Sequence, residues 1–128
     1  MQPMIAAYLW INAAIYLLFS LWCTVRPTQT AQAAGFQVLD NSGRSEFLVV
    51  YGGLQLGLAA FFALLALSPD LHRLGLLFAL AIYIAIVVYR VVTVIVYWPV
   101  SGVTLGIGVM EVALLVAAIL LWLLRRPH

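Results

Sequence analysis

The chain has 128 residues, of which 66% are hydrophobic and 8% charged, and its net charge is +2. Soluble domains run at about 45–50% apolar and about 25% charged. A soluble enzyme and a disordered tail are therefore excluded, and nucleic acid is no expected partner because no basic tract exists. An integral membrane protein remains.

Crossing a hydrocarbon core of about 30 Å takes about 20 apolar residues in a helix. Four stretches meet that length, at residues 3–25, 44–67, 71–98 and 103–124, and they predict an all-α, four-helix membrane bundle in one domain. No alternation of polar and apolar residues supports a barrel. Ala31-Gln32-Ala33 looks like a cleavage site, but the apolar run before it is too long for a signal peptide and opens without a basic residue. Residues 3–25 thus read as a permanent helix, with Pro3 tolerated at its start.

The polar segment 26–43 follows. Residues 28–34 predict a short surface helix ended by Gly35, and residues 40–43 a turn that caps the second span. Ser68-Pro69-Asp70 reads as a tight turn with Asp70 capping the third span. Residues 99–102 form the other short turn. The segment from Gly53 to Ala59 parallels that from Gly102 to Gly108, as two similar helical hairpins would produce. Both carry the small-xxx-small spacing that lets helices approach closely, within or between copies of the chain. With four spans, both termini share one side, with Arg73, Arg125 and Arg126. Arg26 and Arg44 lie opposite. The positive-inside rule places the termini in the cytoplasm, three arginines against two, as for a bacterial inner-membrane protein. Trp22, Trp98 and Trp122 fall near predicted helix ends, where interfacial aromatics sit.

Two ionisable residues lie inside spans. Arg90 sits about two turns before the end of the third helix and Glu111 about two turns into the fourth, which puts both about 10 Å from one membrane face. Charges at such depth normally face the bundle interior and pair. An arginine can meet a carboxylate through two parallel hydrogen bonds. Arg44 and Glu46 open the second helix at the same face and extend the candidate network. Glu46 also suits the positive end of its helix dipole. Tyr51 and Gln55 follow on the second helix. Asn12 and Tyr16 share a stripe with Tyr8 and Ser20 on the first, and Tyr83 and Tyr97 share a face with Arg90 on the third. These residues are candidate pocket linings, and an amide such as Asn12 or Gln55 is costly to leave unpaired in lipid. Cys23 and Met110 read as packing, and Arg125 with Arg126 as an anchor. His72, His128 and Cys23 stand isolated, so neither a metal nor a cofactor is expected.

Arg44-Ser45-Glu46, Tyr51-Gly52-Gly53-Leu54 and Gly57 resemble the second helix of a bacterial membrane family known as domain of unknown function 4345. Arg90, the turn at 99–102 and Glu111 match that family's late arginine, turn and early glutamate. The likeness covers most of the chain from Asn41 onward. More remotely, the layout is similar to the DoxX-like four-helix membrane proteins. Two departures stand out. Tyr89 replaces a glycine, and Tyr97-Trp98 replaces an acidic residue entering the turn. The resemblance implies the fold and marks the charge cluster, and it implies no activity.

Three functions fit in descending order. The first is a binding module that takes a small lipid- or quinone-like amphiphile in a polar pocket in the outer half of the bundle. The second is a structural or accessory protein whose Arg–Glu network fixes helix packing, with glycine-rich faces meeting within or between copies. The third is a small dimeric transporter. It resembles the small multidrug exporters in size, but their first-helix glutamate has no counterpart here. Catalysis ranks last, since no nucleophile–base pair is visible.

Overall fold

The computed structural model describes residues 2–37 and 40–125. Arg126 and His128 lie outside the described residues. The fold is an all-α helical bundle. Four of its helical segments, Gln2–Val25, Asn41–Leu67, Pro69–Val96 and Gly102–Leu124, are long and apolar enough to cross a membrane. The chain is therefore a multi-pass membrane protein. It divides into two compact units, residues 10–64 and residues 1–9 with 65–128.

The unit at residues 10–64 holds most of α1 (Gln2–Val25), then α2 (Pro27–Ala33), α3 (Asn41–Leu48) and most of α4 (Gln55–Leu67). Pro27 opens α2, where its missing N–H costs nothing. Thr30 closes the first turn by donating to the carbonyls of Arg26 and Pro27. Gly35, at φ 88°, ends the segment in the left-handed region that favours glycine. The second span starts earlier than its apolar pattern suggests. Asp40 accepts from the Gly43 N–H, so Asn41, Ser42 and Gly43 are helical rather than a turn ahead of the helix. Between α3 and α4 the same span widens into a π-helical stretch, Val49–Leu54, that contains Tyr51-Gly52-Gly53-Leu54. The Gly52 carbonyl in this stretch accepts from the Ser20 hydroxyl of α1 at 2.8 Å. Gly52 is buried, and a Cβ there would stand 2.9 Å from Thr24 Oγ1.

The second unit is built on α5 (His72–Val96) and α6 (Gly102–Leu124), with the first turns of α1 and the last of α4. Ser68-Pro69-Asp70 does form the turn, as a 3-10 stretch Pro69–Leu71. Asp70, however, lies inside that stretch, and no side chain caps α5. The 3-10 stretch puts Leu71 at the N-cap of α5, one residue after Asp70. At the next turn Ser101 caps α6 by accepting from the Thr104 N–H. Leu9, Leu65, Leu76 and Ala79 form a core with at most 1% of their surface exposed. Gly75 lets Leu9 approach, since a Cβ at Gly75 would meet both Leu9 methyl groups at 2.9 Å. The Tyr8 hydroxyl donates to the Leu114 carbonyl at 2.8 Å.

The two glycine-bearing segments sit differently in their helices. Gly53 lies in the π stretch within its span, whereas Gly102 is the first residue of a regular α-helix. Gly53, Gly57, Gly102 and Gly106 are exposed, and a Cβ on any of them would meet nothing within 4 Å. None of them serves close helix packing within its own unit.

Candidate functional site

Arg90 sits six residues before the end of α5, about 9 Å along the axis at about 1.5 Å per residue. Glu111 sits nine residues into α6. The short turn between the helices brings the two side by side. Arg90 Nε donates to Glu111 Oε1 at 2.8 Å, and Nη2 donates to Oε2 at 3.3 Å. Both carboxylate oxygens are thereby satisfied by the fork of a single guanidinium, the geometry that makes arginine preferable to lysine here. The Glu111 side chain is 10% exposed and the Arg90 side chain 32%.

Gly108 lies under the stem of Arg90. It lies one helical turn before Glu111 on the same face, and a Cβ there would stand 3.4 Å from Arg90 Cγ and 3.6 Å from Cδ. The aliphatic stem of Arg90 thus crosses α6 over Gly108 to reach the carboxylate. The Thr93 hydroxyl, one turn on, donates to the carbonyls of Tyr89 and Arg90 and so turns back on its own helix. The pair is neutral overall. It uses two of the five guanidinium N–H groups.

The other candidates fall in different surroundings. Arg44 and Glu46 lie in the unit at residues 10–64, both exposed, and among the described residues neither takes part in an ion pair. The Tyr51 ring joins an aromatic cluster. It stacks on Phe47 at 4.8 Å and meets Phe36 edge-on at 5.6 Å. Buried Cys23 and Ala31 complete that cluster, which pins α2 and the residues after it against α3. Cys23 therefore packs, as its isolation in the sequence suggests. Gln55 is half-buried at the start of α4. Asn12 is wholly buried, and Tyr16 stacks on Phe62 with centroids 5.7 Å apart. Tyr83 is buried, at 1% exposure, while Tyr97 is 71% exposed at the end of α5. The seven-residue spacing correctly groups Tyr83 and Arg90 on one helix. It does not show that α5 ends at Val96, one residue before the exposed Tyr97.

Sequence reasoning misses His72. Its ring is 3% exposed, Nε2 donates to the Ala66 carbonyl at 3.1 Å, and Nδ1 is paired with the Gln2 side chain. Gln2 is 70 residues from His72, and only the fold joins them. A polar residue at the start of the first span, Gln2, and a histidine just after the Ser-Pro-Asp turn were the available signals.

The chain matches the family described as domain of unknown function, DUF4345, over residues 4–124, and it belongs to that family. The match carries that family alone and not the wider DoxX-like likeness. No curated protein and no solved structure matches the chain.

Proposed function

We propose that this chain is a membrane-embedded binding protein for a small amphiphile, lipid- or quinone-like, held beside the Arg90–Glu111 pair. The observation that carries this reading is the half-used guanidinium. Arg90 is neutralised through Nε and Nη2, yet a third of its side chain stays exposed within a segment apolar enough to span a membrane. Hydrogen-bond donors left open at such depth call for an acceptor. Because the pair is neutral, the favoured acceptor is an uncharged one, such as a quinone or ester carbonyl, rather than a free anion. The chain sits in the bacterial inner membrane with its termini in the cytoplasm, so that the pair opens to the outer half of the bilayer.

A second reading follows from the two-point geometry of the same pair. A fully paired carboxylate is also what a packing lock between α5 and α6 requires. The two readings separate in one experiment. The wild type and the Arg90→Met/Glu111→Leu double variant are extracted in mild detergent, and their retained lipids and quinones are compared by mass spectrometry. Binding predicts one amphiphile enriched on the wild type and lost from the variant. Identical profiles, with thermal stability equal or higher in the variant, would overturn binding and leave the lock. A small transporter is supported by no observation beyond helix number and size.

A further inference from the structure

The opposite end of the α5–α6 hairpin holds a second charged arrangement, built differently. Trp122, in the last turn of α6, carries two guanidinium groups on one indole. Arg125 stacks at 3.7 Å from the ring centroid and Arg73, the second residue of α5, at 5.8 Å. Both lie within the range of cation–π attraction. Neither arginine has a carboxylate partner among the described residues. Arg125 Nε is shut off from solvent with no hydrogen-bond partner there. Arg73 stands at the positive end of the α5 dipole, and the first turn of α5 carries no acidic residue. Asp70 is the nearest carboxylate in sequence, on the preceding 3-10 turn, where it is exposed and takes part in no ion pair among the described residues. Two like charges thus gather on one ring, beside a helix N-terminus, with no carboxylate partner among the described residues.

We propose that Arg73, Trp122 and Arg125 form a binding site for a phosphate group, supplied by the headgroup of an anionic phospholipid. The location argues for the lipid. The site caps the ends of two spanning helices, the depth at which tryptophan and arginine meet headgroups. An anionic leaflet surface attracts basic residues placed there. The guanidinium N–H groups would donate to the phosphate oxygens, while Trp122 holds both side chains in place.

Native mass spectrometry of the detergent-purified protein, titrated with phosphatidylglycerol or with phosphatidylcholine, tests this. One phosphatidylglycerol should be retained in preference to phosphatidylcholine. Arg73→Gln and Arg125→Gln should each weaken that retention by about fivefold, and Arg26→Gln, at the other face, should not. Arg125→Lys, which keeps the charge, should retain more than Arg125→Gln. That ranking also holds the test open if one glutamine variant unfolds. Millimolar inorganic phosphate should fail to displace the lipid. Displacement would reassign the site to free phosphate and overturn the lipid as its source. Equal retention of both lipids, or an equal loss in Arg26→Gln, would overturn the site altogether, because binding would then follow bulk charge.

Discussion

Arg90 and Glu111 compensate one another, so what a substitution does depends on whether one or both are changed. Glu111→Leu alone strands a guanidinium within a spanning segment. Because Arg90 is a third exposed, the expected loss is about 2 kcal/mol, below the about 3–5 kcal/mol typical of a fully buried pair. The double change Arg90→Met/Glu111→Leu should recover most of that loss. A double-mutant cycle on unfolding in mixed micelles measures the difference, and additive single effects would contradict the pairing. Gly108 has a separate part. Gly108→Leu puts a branched side chain where the Arg90 stem lies. The salt bridge should open, with destabilisation close to that of Glu111→Leu. Gly75 is more stringent, because the atoms a Cβ would meet belong to Leu9, which is wholly buried. Gly75→Val is expected to cost about 1–3 kcal/mol as overpacking. The same substitution at exposed Gly57 should cost far less, measured by the same unfolding assay.

At the scale of elements, the helix starts separate acids that cap from acids that only precede a helix. Asp40 holds the Gly43 N–H, and Asp70 holds nothing at α5. Asp40→Ala should therefore lower stability by about 1 kcal/mol, while Asp70→Ala should stay within about 0.5 kcal/mol of the wild type. Thermal unfolding of the two variants side by side checks this, and equal losses would contradict the capping assignment. The π stretch Val49–Leu54 is the other feature of this scale. Such stretches are rare and frequent at functional sites. Here Tyr51 lies in the cluster with Phe36 and Phe47, and the Gly52 carbonyl accepts from both the Gln55 N–H and the Ser20 hydroxyl. The tetrapeptide that carries the family resemblance thus falls where the helix departs from regular winding.

At the scale of the whole molecule, four membrane crossings would place the segment after α1 and the turn before α5 on opposite sides of the bilayer. The proposed orientation puts Gln29 outside and Asp70 in the cytoplasm. A cysteine introduced at position 29 should react with a membrane-impermeant maleimide in intact cells, and one at position 70 only after permeabilisation. The native Cys23 is buried and should add little background. Labelling in the reverse order would invert the topology and move the Arg90–Glu111 pair to the inner half of the bilayer.

The four spans were legible because length and hydropathy act locally. A run of about 20 apolar residues has no soluble alternative, and its helix forms whatever its neighbours are. The Arg90–Glu111 pair was legible for a related reason: a short turn sets two adjacent helices in register, so depth follows from counting residues. Helix identity alone could not show which face of a helix ends up covered. Gln55 half-buried, Tyr97 exposed and His72 enclosed with Gln2 are outcomes of packing between segments distant in sequence. The π winding at Gly52-Gly53 has no counterpart in the apolar pattern of the second span. Composition and spacing determined that this is a multi-pass membrane protein with four apolar helices, and they pointed to Arg90 and Glu111 as partners. Tertiary structure alone decided that the pair is closed at two points beside Gly108, and that Arg73 and Arg125 meet on Trp122 with no carboxylate partner among the described residues, because both depend on where side chains from separate helices converge.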